Sequence, residues 1–243
     1  MFNNLTISLE KLFLKCYNIK YRKGRDTLEI LQLKTVSTVD AVCRALEDDI
    51  FFRFSPGEKI TEATLNTRYG VSRNTIREAI TYLISNGLLV KIANRGVFVR
   101  SITREDVREI FSLRALLEVE AIKRITEKET PTKQLLENAE LLEKMNPYEH
   151  WNEYVSADMN FHSLLVSLSD SPRLCRLYGT ISAEVMLCIC QSKRHIPPTA
   201  INEISHKKIL DAISRKDVTC ATKLLSEHIE SAILNYENGF DSE

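Results

Sequence analysis

No stretch of this 243-residue chain approaches the ~20 uninterrupted apolar residues that span a bilayer. The amino terminus lacks a secretory pattern too, since Glu10, Lys11 and Lys15 interrupt its apolar stretch. Six cysteines, at 16, 43, 175, 188, 190 and 220, form neither a CxxC pair nor a dense framework, so they read as free thiols of a reducing cytoplasm. No membrane partner is expected, and a cytoplasmic location is. Net charge is also missing, with 33 Lys and Arg against 33 Asp and Glu. That zero hides an asymmetry. Residues 1–102 carry 16 basic against 10 acidic side chains and residues 103–243 carry 17 against 23, a split of +6 and −6. A basic first part joined to an acidic second part points to a polyanion-binding domain followed by one with another task.

What is present is ordinary globular material, 44% apolar and 27% charged, enough for one large or two modest domains. Residues 1–34 have no clear cap or closing partner and read as an N-terminal extension: a disordered arm, a docking helix or a misassigned start. From Thr38, taken as an N-cap, "TVDAVCRALEDDIFF" spaces Val39, Val42, Ala45, Leu46 and Ile50 at helical intervals. "SPGEK" breaks that helix. Thr61 opens a second, ending at Gly70 in a left-handed turn, and Ser72 caps a third from Arg73 to Ser85. "LLVKI" and "GVFVR" then form a small hairpin around "ANR". Three helices plus a β-hairpin wing make a winged helix-turn-helix over residues 35–102.

Beyond Ile102 the strand signals end. A long amphipathic helix over 103–128, kinked near its first turn if anywhere, precedes helices near 132–146, 149–169, 172–193, 199–214 and 217–237. The fold class is therefore mainly α, with an all-α antiparallel helical bundle over residues 103–243.

Within "YGVSRNTIREAI", Ile76, Ala79, Ile80 and Leu83 form the inward stripe, and Arg73, Asn74, Arg77 and Thr81 share the adjoining exposed arc. Arginine forks onto guanine or clamps a phosphate, asparagine pairs with adenine, and Ser72 with the first free N–H groups holds a phosphate oxygen. An isolated arginine pair would read as a solvated face; its place in a helix-turn-helix-wing order favours DNA.

The segment from "PGEKITE" through "GVSRNTIREAI" and "NGLLV" to the wing "NRGVFV" closely resembles the DNA-binding domain of GntR-type bacterial transcription regulators, over roughly residues 37–110. The resemblance implies DNA contacts from Arg73, Arg77 and neighbouring Asn74, and from Arg95 and Gly96 of the wing near the minor groove. Ser72 joins them as the phosphate-holding cap, and Thr75 through a hydroxyl within reach of a base or phosphate. Two departures stand out: Thr75 replaces the family's proline and Ala63 an arginine, so relatives' operator sequences do not transfer.

In the second part, Asp158 and His162 sit four apart in "SADMNFHSLLVSL", while His206 and His228 lie on apolar faces of later helices. Burying such groups unpaired costs several kcal/mol. Either each imidazole donates to a core carbonyl and Asp158 pairs with His162, or one divalent cation takes all four; imidazole and carboxylate suit zinc, nickel or iron. "LRALLE", "DMNFH", "SPRLCRL" and "SHKKILDAISRKDVTCATKLLSEHI" resemble the FCD effector domain that follows this DNA-binding domain in one GntR subfamily, over about 105–235. That resemblance implies a metal, most readily zinc, on Asp158, His162, His206 and His228, and a small organic-acid effector completing its coordination. Arg114 is the residue expected to fork onto the effector carboxylate, against the alternative of an intrahelical pair with Glu118. Where the family's fourth bundle helix carries inward arginines, "ISAEVMLCICQ" makes this pocket more apolar. His195 reads as loop surface and His150 as an exposed helix start.

The expected function is a homodimeric regulator, a repressor in the commoner family mode, whose operator binding follows metal and effector. A purely structural metal is one alternative. A metal-dependent hydrolase with a DNA-binding tether is another. No general base is placed for it, because Glu184 and Glu227 are near the site only in sequence.

Overall fold

The computed structural model describes residues 37–147, 149–192 and 205–238. The expected N-terminal extension, His195 and the first turns of a helix from residue 199 lie outside them.

Helix α1 (Thr38–Phe52) is capped one residue earlier than expected: the Ser37 hydroxyl accepts from the backbone N–H of Asp40, three residues on. Thr38 is the first helical residue instead. Strand β1 (Lys59–Ile60) follows, then α2 (Glu62–Tyr69), capped by Thr61 and closed by Gly70 at φ +66°. Helix α3 (Arg73–Ser85) starts under Ser72, whose hydroxyl accepts from Thr75 N–H. Ile76, Ala79, Ile80 and Leu83 are buried as the wheel required. Strands β2 (Leu89–Ile92) and β3 (Gly96–Val99) form the wing, with Leu89 opposite Val99 and Ile92 opposite Gly96. The sheet has a third strand that periodicity did not reveal. Lys59 and Ile60 pair antiparallel with Phe98 and Val97, giving the order β1-β3-β2.

The second part runs as α4 (Arg104–Glu127), α5 (Lys133–Lys144), α6 (Trp151–Ser167), α7 (Pro172–Ser192), α8 (His206–Ser214) and α9 (Val218–Asn238). A capping box starts α4: Thr103 accepts from Asp106 N–H, and Asp106 accepts in return from Thr103 N–H. The long helix is a single element from Arg104 onward. It packs along α9 and α7, and also touches α6 and α8, so its inward face runs through the middle of the bundle. Helix α7 touches α1 as well, joining the two halves.

Among the described residues the cysteines form no disulfide. Burial pushes the Cys188 thiol up to about 12 and Cys43 up to about 11, so both behave as small core residues rather than as nucleophiles.

Candidate metal centre and DNA-reading face

Three helices deliver the four predicted ligands to one point. Asp158 and His162 come from one face of α6, His206 from the first turn of α8, and His228 from α9. One donor atom from each lies within 4.8 Å of the other three. A single ion with bonds of about 2.0–2.2 Å spans roughly 4 Å between opposite donors, so the four side chains already stand at the scale of one coordination shell. The three rings lie 4.7–5.3 Å apart between centroids, and all three histidines are buried.

The protonation pattern suits a cation. His162 Nδ1 is 2.6 Å from Glu118 Oε2, so Nδ1 carries the proton and Nε2 presents its lone pair to the centre. That lone pair faces His206 Nε2 at 3.2 Å and Asp158 Oδ1 at 3.9 Å. His206 Nε2 also stands 3.2 Å from Asp158 Oδ1, yet that buried oxygen makes no well-aligned hydrogen bond. Burial pushes the Asp158 carboxyl up, but the His206 and His162 rings and the Arg114 guanidinium outweigh it and hold it far below the usual carboxylate range. Burial, with Arg114 adding to it, keeps His162 well below its ordinary value. For Asp158 and His162, an ionised carboxylate beside a neutral imidazole is the state in which such groups ligate metal. The fit is therefore good: an unpartnered buried oxygen, an oriented imidazole and two further histidines converge.

Arg114 satisfies both of its expected readings in part. Its Nε donates to Glu118 Oε1 at 2.9 Å, one turn along α4. Its Nη2 is buried without a hydrogen-bond partner, 4.0 Å from Asp158 Oδ2, at the edge of the ligand cluster. The guanidinium also lies over the Phe111 ring at 5.3 Å.

Two residues of this centre escaped sequence reasoning. Glu118 is fully buried and accepts from Arg114, His162 and the Tyr178 hydroxyl, the last at 2.9 Å. Glu118 appeared in the sequence only as a rival partner for Arg114. Tyr178 sits on the inward stripe of α7, where a tyrosine reads as core, and nothing in its spacing marked it. Glu184, near the site in sequence only, contributes no group to this centre and accepts instead from Arg100 of the other half.

On the opposite half, Ser72, Arg73, Asn74 and Arg77 are exposed, and Thr75 is half-buried under the Ser72 hydroxyl at 2.9 Å. Arg73 and Asn74 make no polar contact among the described residues. Arg77 spends only Nε, which donates to both oxygens of Glu62 at 2.9 and 3.0 Å. At the wing tip Asn94 takes φ +61° and Gly96 φ +115°, and Arg95 is exposed with its guanidinium 5.9 Å from the Phe98 ring. A Cβ at Gly96 would stand 3.1 Å from Lys59 Cε, so the tight wing needs glycine on both counts.

Residues 38–99 match the model of the bacterial regulatory proteins of the gntR family, and residues 109–231 match the FCD domain. The chain belongs to the GntR family of transcription regulators, in its FCD-containing branch. It is 30% identical over 189 residues to the Nta operon transcriptional regulator of Aminobacter aminovorans, covering 74% of this chain and 85% of that protein. It is 25% identical over 192 residues to the transcriptional repressor RspR of Escherichia coli K12, covering 78% and 84%. A GntR regulator of Rhodococcus sp. RHA1 superposes with a TM-score of 0.71 at 28% identity, covering 86% of this chain and all of that one. The E. coli McbR/YncC structure shares the fold, with a TM-score of 0.74 at 22% identity over 85% of this chain and all of that one. As a GntR regulator the protein binds DNA and is not an enzyme. No described helix is long and apolar enough to cross a membrane.

Proposed function

We propose that this GntR regulator is a cytoplasmic homodimeric repressor whose hold on its operator is set by a divalent metal, zinc first, and a small organic acid in the helical bundle. The observation that carries the reading is the conjunction of four converging ligands with the unpartnered Nη2 of Arg114 beside them. Asp158, His162, His206 and His228 would hold the ion. As a Lewis acid it would supply open positions for an effector carboxylate. Glu118 keeps the His162 proton on Nδ1, and Phe161 walls the centre with its ring 4.3 Å from that of His206. Arg114, anchored through Nε, offers Nη2 as a second contact for the same carboxylate.

On DNA, the amino-terminal end of α3 would enter the major groove. Arg73 and Asn74 are uncommitted, and Arg77 keeps both Nη groups for a base or phosphate while Glu62 steadies its Nε. Ser72 would meet a phosphate, and Arg95 and Gly96 would follow the minor-groove side. A second copy of the chain would supply the other half-site. Exposed Leu113 and Leu116 on α4 and Leu177 on the adjoining α7 offer that copy an apolar face.

The test is binding of the full-length protein to the intergenic DNA beside its own gene, titrated across salt, with Arg77→Ala alongside. Saturable binding that outcompetes unrelated DNA, falls with salt and weakens in the variant is expected. Equal binding to every DNA, unchanged by the substitution, would remove α3 as the reading element.

A further inference from the structure

One arginine bridges the two halves of the molecule. Arg100 leaves the wing directly after β3 and bridges two carboxylates of the bundle: Nη2 donates to Asp106 Oδ1 at 2.6 Å and Nη1 to Glu184 Oε1 at 2.5 Å. Burial pushes the Asp106 carboxyl up, but its bonds from Thr103 and Arg100 prevail and hold it below the usual value, so the bridge stays charged. About two turns beyond Glu184, Gln191 grips the connecting backbone. Its Nε2 donates to the Arg100 carbonyl at 2.7 Å and its Oε1 accepts from Ile102 N–H at 2.9 Å. The turn after α3 presses on the same place, because a Cβ at Gly87 would lie 2.2 Å from Glu184 Oε1. Glu184 and Gln191 both belong to α7, and so does Tyr178, whose hydroxyl bonds Glu118 beneath the metal ligands.

From the geometry we infer that α7 is the coupling rod of the regulator: Tyr178 links it to the ligand layer, and Glu184 with Gln191 hold the DNA-binding domain in place. The thirteen residues from Tyr178 to Gln191 span about 20 Å of helix. The inference rests on the proposed metal and effector control, to which it gives a route. Glu118 Oε1 is shared by Arg114 and Tyr178. A cation that draws Asp158 from the Arg114 guanidinium and His162 onto itself, like an effector carboxylate that draws the guanidinium, changes what Glu118 offers the Tyr178 hydroxyl, and α7 must resettle. Packed helices resettle by about 1–2 Å. Hydrogen bonds near 2.6 Å do not survive such a stretch, so the Arg100 bridge and the Gln191 grip hold or release together rather than yield gradually.

The experiment uses full-length protein and fluorescent intergenic DNA, titrated in chelator and in saturating zinc, for wild type and Glu184→Gln/Gln191→Ala. Zinc affinity, by calorimetry, and melting are measured on the same samples. In the wild type, zinc should change operator affinity by a factor within roughly 5–150, and operator DNA should change zinc affinity by the same factor. The double variant should bind zinc as the wild type does, remain folded, and show a factor close to one in both directions. Tyr178→Phe, which removes only a hydroxyl, should show the same loss at saturating zinc. A double variant that keeps the wild-type factor overturns the coupling role while leaving metal control intact. A wild type whose operator affinity ignores zinc overturns the metal control itself, and the rod with it.

Discussion

Glu118→Gln is the smallest change that separates the ligand layer from its support. The two carboxylate oxygens have different duties: Oε1 accepts from Arg114 Nε and Tyr178, Oε2 from His162 Nδ1. In the amide, the oxygen must stay on the Arg114 side, because both partners there are donors. The new NH2 group therefore faces His162 Nδ1 and requires that nitrogen to accept. The imidazole proton moves to Nε2, directly into the space where the ion belongs. Loss of an outer partner of this kind costs 10- to 100-fold in metal affinity, and zinc titration should fall by about that range or more. The charge is lost as well. Removing one partner of a buried ion pair costs about 3–5 kcal/mol. The retained amide oxygen, and Asp158 Oδ2 at 4.0 Å from Nη2, offset part of this. We expect about 2–3 kcal/mol, or a melting point some 5–10 °C lower in chelator. Calorimetry with zinc and thermal melts without it measure the two effects independently. A variant with wild-type zinc affinity would refute the argument that Glu118 sets the His162 tautomer, whatever its stability.

Glycine positions give a paired test by urea denaturation. Gly70→Ala, at φ +66° with no atom within 4 Å of a new Cβ, should cost about 1–2 kcal/mol of backbone strain alone. Gly87→Ala, at φ +73° and in collision with Glu184, should cost clearly more, roughly 2–4 kcal/mol. Equal costs would mean that Glu184 is not seated against the turn. Burial, with Asp48 beside it, pushes the Glu47 carboxyl from an ordinary 4.5 up to about 7. The folded state therefore holds this proton more tightly than the unfolded chain. The corresponding stability is present below the unfolded value and lost as pH rises through 7. At about 1.36 kcal/mol per unit, Glu47→Gln should gain up to ~3 kcal/mol over wild type at pH 8 and nearly nothing at pH 4. A difference between the two proteins that does not grow with pH would contradict the burial.

Elements whose stabilising groups lie within a few residues of one another were legible in the sequence. Ser72, Thr61 and Gly70 do their capping locally, and each stands where the sequence put it. Ser37 and Thr38 are adjacent hydroxyls, and only the hydrogen bond to Asp40 N–H decides between them. Strand β1 could not be read, because two residues hold no alternation and Lys59–Ile60 is a strand only through its partners Phe98 and Val97. The four-residue cluster was legible because histidines on apolar helix faces are chemically out of place, and three of them with an aspartate one turn from one ask for a common explanation. Glu118 and Tyr178 were not, since each had a sufficient local role. Arg100, Glu184 and Gln191 carried no sequence signal that joins them, because only tertiary packing brings together residues more than 80 apart in the chain.

The charges of the buried layer also bear on what it binds. A buried ion pair is a poor source of stability, and well-packed apolar side chains in its place usually do as well or better. Arg114 and Glu118 therefore need a reason to persist at the centre of the bundle. Arg114 is held positive, because the surrounding carboxylates and Tyr178 outweigh its burial. Glu118 is pushed up by burial, yet the donors around it leave neither oxygen free to carry a proton of its own. In the ligating state, with the imidazoles neutral and Asp158 and Glu118 ionised against Arg114, the layer would carry one negative charge in excess. A divalent ion on the four ligands inverts that excess, and one carboxylate then cancels it. Under the proposed control the metal would need the Asp158 charge to enter, and the effector would need the metal and Arg114 together. In the proposed reading, the order of binding follows from electrostatics: an organic acid offered to the empty layer meets a net negative charge and is repelled, and the same acid offered to the loaded layer is drawn in.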